Sequence, residues 1–340
     1  MKDQPESLDE SGLWRALPAW GIDAVSLAYA PVGFGDYHWT AVDDRERQWF
    51  VTVADLAHKG HCGVGTEAAC HGLRQAMDTA WSLRNRRGLD FVVAPLRTAH
   101  GETVRRLGGR YAISVFPFVD GTAGHFSQAL TSHERGLLVD MLAELHRATP
   151  PASAPVPRPE LSTRVQLEAA LEELGRPWHG GPFAEPARAL MSDCVSSFRR
   201  RLDEFDQRVG KLSRRSQEPT VTHGEPHPGN LLQLGERRLL VDWDTVGLAV
   251  PERDLWLVAK DPDDLARYAD VSGRRPDPSA LELYRLRWDL DDVAVYLDWF
   301  RSPHGRTSDA EQAWAGLTST MERLTDYYSQ VPTHPAPGGP

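Results

Sequence analysis

The stretch His223-Gly-Glu225-Pro-His-Pro-Gly-Asn230 places an imidazole, a carboxylate and a carboxamide on one short loop, and Asp242 follows twelve residues after the Asn. Prolines stiffen that loop, and a carboxylate held there can accept a hydrogen bond from an attacking hydroxyl. Asn230 and Asp242 are hard oxygen donors of the kind Mg²⁺ prefers, an ion that usually takes one or two carboxylates and fills its shell with water and phosphate oxygens. An acid, an Asn five residues on, a hairpin and then an apolar strand ending in Asp is the set that phosphoryl transfer to a hydroxyl requires. The alternative is a turn whose polar groups cap its own backbone. His-x-Glu alone would carry no information; the full spacing favours the chemistry.

Hydrophobic periodicity gives the elements that must hold these groups. Residues 26–31 and 38–42 read as strands on either side of Val-Gly-Phe-Gly-Asp at 32–36, and a charged turn at 43–47 leads into a third strand at 48–53. Thr66 is expected to cap a helix to about Arg86, with Ala69, Leu73, Ala76, Met77, Ala80 and Leu83 on one face. Further strands are expected at 91–95, 102–107 and 111–117. The pattern then turns helical. Thr131 and Glu134 form a capping box for a helix ending near His146, and more helices are expected at 164–174, 187–211, 252–258, 278–300 and 310–328. Residues 221–244 read as strand, loop and hairpin. The expected architecture is α+β in two lobes. An N-terminal extension (1–24) precedes a β-rich nucleotide-binding lobe (25–119), and a helical catalytic and substrate lobe (120–330) precedes a disordered tail (331–340). The cleft between such lobes is a favoured ligand site.

Together these features resemble the aminoglycoside phosphotransferase family, which has a protein-kinase-like fold, and most of all its spectinomycin phosphotransferase type. The resemblance covers roughly residues 25–330. It rests on the glycine turn at 32–36, Val-Phe-Pro-Phe-Val-Asp-Gly at 115–121, Glu-Leu-His at 144–146, and His223-x-Glu225 with Asn230. Val-Asp-Trp-Asp at 241–244 and Pro-Glu-Arg-Asp-Leu at 251–255 complete it. It implies ATP or GTP as cosubstrate, with Gly33 and Gly35 at the phosphates and Phe116 to Phe118 as the hinge beside the base. Glu225 stands where the catalytic Asp belongs, and Asn230 and Asp242 where the Mg²⁺ ligands belong. His223 reads as structural, His227 as a loop His, and Asp254 either as a brace for the catalytic loop or as a helix cap. Asp289 and Asp292, on a late helix, would contact a cationic acceptor or else form a solvated face.

Two positions depart from the family pattern. Glu225 is one methylene longer than the expected Asp, and a misplacement of about 1 Å can cost on the order of 100-fold in rate. Thr52 occupies the position of the third-strand lysine that holds the α- and β-phosphates, so Lys59, Arg45 or another cation would have to reach in. Glu67, the candidate helix partner of that lysine, equally suits the positive end of a helix. The expected function is a kinase acting on a hydroxyl of a small polar metabolite or aminoglycoside-like antibiotic; the alternative is a nucleotide-binding pseudokinase acting as a regulatory or scaffold module.

The bulk properties agree. A chain of 340 residues, 41% hydrophobic and 25% charged, is long enough for two cores. The net charge of −10 argues against non-specific nucleic-acid binding and suits a cationic small molecule. No apolar run approaches the roughly 18–20 residues needed to span a bilayer, and the N-terminus lacks the pattern of a signal peptide, so a cytoplasmic protein with no membrane partner is expected. Cys62, Cys70 and Cys194 are too few and scattered for a disulfide framework. His61, Cys62, Cys70 and His71 lack the paired spacing of a zinc site.

Overall fold

The computed structural model describes residues 1–5, 7–212 and 218–329; the tail expected at 331–340 lies outside the described residues. Along the chain run α1 (Glu10–Ala16), β1 (Ala24–Ala30), β2 (Tyr37–Asp43), β3 (Gln48–Asp55), α2 (Thr66–Asn85), β4 (Arg105–Leu107), β5 (Tyr111–Pro117), β6 (Thr122–Ala123) and α3 (Ser132–Arg147). There follow α4 (Arg164–Glu172), α5 (Ala184–Leu212), β7 (Thr220–Thr222), β8 (Leu231–Leu234), β9 (Arg237–Leu240), β10 (Gly247–Ala249), α6 (Glu252–Val258), α7 (Pro262–Ser272), α8 (Pro278–Arg301) and α9 (Ser308–Ser329). These elements make an α+β fold of two compact units, one formed by Met1–Arg158 with Ser216–Tyr284, the other by Pro159–Arg215 with Arg285–Pro340.

In the first unit β1-β2-β3-β5-β4 form an antiparallel sheet. Residues paired across strands share a face, and successive residues alternate. One face carries Trp39, Val51, Val53, Ile113 and Val115, all buried with Leu13, Leu17 and Ile22 of the N-terminal segment. Trp39 Nε1 donates to Glu10 Oε1 at 3.0 Å, satisfying a buried indole and fixing α1 on the sheet. The other face carries His38, Phe50, Thr52, Ser114 and Phe116.

A second core joins α2 (Leu73, Ala76, Met77, Ala80, Leu83), α3 (Leu138, Leu142, Leu145) and the motif segment (Val221, Leu231, Leu240, Trp243, Val246). Phe116 packs against it, so the sheet's second face and the motif loop share one apolar support. Gly72 permits a close approach within α2: a Cβ there would stand 2.0 Å from the Cys62 carbonyl oxygen, so the helix backs directly onto the segment after β3.

Several local expectations are corrected. Residues 91–95 are buried, and among the described residues they join no ladder and make one isolated bridge, Val92 to Leu240. A short apolar run buried on all sides cannot be told from a strand by periodicity. Thr66 is the first residue of α2 rather than its cap: Gly65 holds that position and no side chain caps the helix. The strand before Asp242 stops at Leu240. Two helices, α1 and α7, were not expected. The Thr131–Glu134 capping box is present at α3.

In the second unit the helices pack through Phe183, Phe198, Phe205, Leu290, Leu297, Phe300 and Leu317, all buried. Among the described residues no helix is long and apolar enough to cross a membrane.

Candidate active site

The motif loop begins at the end of β7 and is held from below by α6. Asp254, fully buried, accepts the backbone N–H of Gly224 on Oδ1 at 2.6 Å and that of His223 on Oδ2 at 2.8 Å. His146 Nε2 lies 3.0 Å from the same Oδ2, and His146 Nδ1 lies 2.8 Å from the Tyr268 hydroxyl. Burial works against the Asp254 charge, yet His146 and these hydrogen bonds hold its pKa below the ordinary carboxylate value. Arg253 adds bonds to Thr222 Oγ1 at 2.8 Å and the Thr245 carbonyl at 2.7 Å, closing the loop from the other side.

His223 is locked in one tautomer. Its Nε2 donates to the Val241 carbonyl at 2.9 Å, while Nδ1 accepts the Glu225 N–H at 3.2 Å. Both nitrogens are occupied and burial pushes its pKa down, so the ring is a neutral strut between the loop and the segment leading to Asp242. Gly224 takes φ 102°, and a Cβ there would lie 2.5 Å from Arg253 Nη2.

Three oxygen-bearing side chains, Glu225, Asn230 and Asp242, are carried by the braced loop and the segment joined to it. Asn230 Nδ2 donates to the Glu225 carbonyl at 3.0 Å, and its Oδ1 has no hydrogen-bond partner among the described residues. The Val241 N–H donates to the Asn230 carbonyl at 3.0 Å, bringing Asn230 beside the Asp242 segment. Asp242 is exposed and in the left-handed region at φ 63°, a conformation costing a non-glycine residue about 1–3 kcal/mol. Among the described residues its carboxylate makes no hydrogen bond, nor does that of half-buried Glu225. Burial, then the neighbouring Asp244 charge, pushes the Glu225 pKa up. Asp242, open to solvent yet surrounded by protein, is raised well above the ordinary value by desolvation and then by Asp244. Unpaired carboxylates that resist ionising side by side are relieved by a bound cation. Asn230 Oδ1 and the Asp242 carboxylate are hard oxygens, the donor type that Mg²⁺ prefers.

Cations sit on the opposite side. The Lys59 ammonium, buried, pairs with Asp244 and with Asp36 at 3.0 Å, and His61 Nε2 lies 3.3 Å from Asp244 Oδ2. Burial opposes the Asp244 charge, but Lys59 and His61 hold its pKa well below the usual range. Gly33 and Gly35 take φ 71° and 108° in the turn that Asp36 ends. Thr52 faces His38, whose Nδ1 lies 3.2 Å from Thr52 Oγ1; burial lowers the His38 pKa to about 3, with a further push from nearby positive charge. Phe116 is half-buried and Phe118 is 38% exposed at the end of β5. Glu67 lies in the first turn of α2 and pairs with Arg106, not with a lysine.

Asp36, Asp244 and His61 received no role from the sequence. The one signal was a second acid, Asp244, two residues after Asp242. Asp289 and Asp292 belong to the second unit, where Asp289 pairs with Arg323 at 2.8 Å. Cys62 Sγ contacts the Asp244 carbonyl at 3.6 Å and Cys70 is buried in α2.

Residues 73–287 match the phosphotransferase enzyme family (APH), which is more than half of the chain. This chain belongs to that family. Protein StrN of Streptomyces griseus, a relative, is 30% identical over 241 residues, spanning 68% of this chain and 72% of StrN. The family's kinase-like fold is seen in spectinomycin phosphotransferase APH(9)-Ia, solved with ADP and spectinomycin. That structure aligns over 96% of this chain and 100% of its own, at TM-score 0.71 and 17% identity. An amicoumacin kinase solved with AMP-PNP, Ca²⁺ and Ami aligns over 94% of this chain and 93% of its own, at TM-score 0.57 and 15% identity. At these identities the likeness establishes the fold. The family match establishes a phosphotransferase enzyme.

Proposed function

We propose that this phosphotransferase moves the γ-phosphate of ATP or GTP to a hydroxyl of a small polar metabolite or an aminoglycoside-like antibiotic. The observation that carries the reading is the set of three oxygen groups that, among the described residues, make no hydrogen bond: Glu225 and Asn230 Oδ1 on the braced loop, and the strained Asp242 after the hairpin. A left-handed Asp held without a hydrogen bond costs stability, and a purely structural turn gains nothing from it. Asn230 and Asp242 would hold Mg²⁺, which supplies charge neutralisation on the phosphates.

Glu225 accepts the hydrogen bond of the acceptor hydroxyl and takes its proton as transfer proceeds. Asp254 and His223 fix the loop, so Glu225 is aimed without reorganisation at the moment of reaction. The nucleotide assignment is supported by the fold shared with proteins solved with ADP and AMP-PNP. The acceptor class is supported by spectinomycin in one of those structures and by the net charge of −10, which favours a cationic partner.

Calorimetric titration with ADP or GDP, with and without Mg²⁺, tests the reading. Binding is expected to require Mg²⁺ and to be lost in Asp242→Asn; metal-independent binding unaffected by that change counts against it. A protein that binds Mg²⁺-nucleotide and phosphorylates no member of a hydroxyl-acceptor panel would instead be the pseudokinase.

A further inference from the structure

Lys59 follows β3 after a single turn at Leu56–His58, capped by Asp55, and its side chain is buried within unit one. There it touches Asp36, which closes the glycine turn, and Asp244, two residues beyond Asp242. Three segments therefore converge on one buried ammonium: the glycine turn, the exit of β3 and the Asp242–Asp244 segment. The two carboxylates are not equivalent. Asp244 is also approached by His61 and lies in the segment supported by Trp243, whose indole donates to the Leu240 carbonyl at 2.9 Å. Asp36 has only half its hydrogen bonding satisfied, because its Oδ1 is buried with no partner. Burial pushes its pKa up, so the ionised form is held at a cost.

A lysine has three donors, and phosphate oxygens carry charge of the sign that both acids already place around it. The glycine turn that Asp36 closes lies beside the strand position where Thr52 has no charge to offer: His38 Nδ1 is 3.2 Å from Thr52 Oγ1, and its Nε2 is 3.3 Å from where a Cβ on Gly33 would stand. We propose that Lys59 is the cation that grips the nucleotide phosphates, with Asp244 as its fixed anchor and Asp36 as a resting partner that the phosphates displace. This rests on the nucleotide-binding reading above. It gives the glycine turn two states, one tied to Lys59 through Asp36 and one released when phosphate takes that place.

The test compares Kd for ADP or GDP with Kd for the matching nucleoside in wild type, Lys59→Met, Lys59→Arg and Asp36→Asn. Removing the ammonium is expected to weaken the diphosphate by roughly ten- to hundredfold and leave the nucleoside unchanged. Lys59→Arg is expected to recover part of the loss. Asp36→Asn removes the competitor and is expected to tighten the diphosphate several-fold without affecting the nucleoside, an outcome a purely structural ion pair does not produce. Equal losses for diphosphate and nucleoside in Lys59→Met, or weaker diphosphate binding in Asp36→Asn, overturn the proposal. Should Lys59→Met fail to fold, the direction of the Asp36→Asn change decides alone. If wild type binds Mg²⁺-nucleotide through Asp242 and neither Lys59 nor Asp36 matters, only this inference fails; if wild type binds no nucleotide, the proposed function fails with it.

Discussion

Asp254→Asn separates the support of the motif loop from its chemistry. The carboxylate serves three donors, Gly224 N at 2.6 Å on Oδ1 and His223 N at 2.8 Å with His146 Nε2 at 3.0 Å on Oδ2. An Asn has one acceptor oxygen, so one orientation turns its NH₂ against Gly224 and the other turns it against His223 and His146. The first loses one bond and is the cheaper. A buried hydrogen bond to a charged group is worth about 1.5–3 kcal/mol, and the two that remain weaken once the charge is gone. The expected destabilisation is about 2–4 kcal/mol by urea unfolding. Freed from its anchor, the loop moves Glu225, and a shift of about 1 Å lowers kcat on the order of 100-fold. KM for the acceptor is expected to change little. Loss of less than about 0.5 kcal/mol, the scatter of ordinary surface substitutions, with full turnover would show that Asp254 does not hold the loop.

Other perturbations follow the same reasoning. Gly72→Ala places a Cβ 2.0 Å from the Cys62 carbonyl, so a loss of about 1–3 kcal/mol is expected in thermal or urea unfolding. It should be accompanied by a raised nucleotide KM as the Lys59–Cys62 segment is pushed away. Asp55 is buried, and hydrogen bonds from His58 and Arg110 outweigh burial to depress its pKa. A depressed carboxylate stabilises above its unfolded pKa of about 3.9 and loses that contribution as pH falls through the lower folded value. Unfolding of wild type and Asp55→Asn should therefore differ at neutral pH and converge in strong acid; a constant gap contradicts the assignment. Thr131→Ala breaks a capping box and should cost about 1 kcal/mol by the same assay.

Much of the motif loop was legible because its constraints are local. Glu225, Asn230 and Asp242 lie within one loop and one hairpin, and the backbone bonds joining them follow from that spacing. Helix α6 was legible for the same reason, since its range follows from Pro251 and the periodic residues after it. Helix α7 carried readable signals that the pattern search passed over: Asp261 as cap, Pro262 in the first turn and Gly273 left-handed at the end. The pairing of Lys59 with Asp244 was not legible, since 185 residues separate them and no local rule joins them. The strand-lysine position reads as Thr52, whereas the buried lysine of the fold is Lys59, which follows the strand and pairs with Asp36 and Asp244. Residues 91–95 failed for a different reason: apolarity reports burial, and burial alone does not specify a ladder.

The central claim is that Glu225, aimed by His223 and Asp254, acts beside a metal held at Asn230 and Asp242. Single-turnover transfer from Mg²⁺-ATP or Mg²⁺-GTP to a hydroxyl acceptor tests it directly, comparing wild type with Glu225→Gln. Transfer by wild type, an unchanged Mg²⁺-nucleotide Kd in the variant, and a loss of transfer of about 100-fold or more are expected, the range a positioned general base contributes. Equal transfer by the two proteins would contradict it.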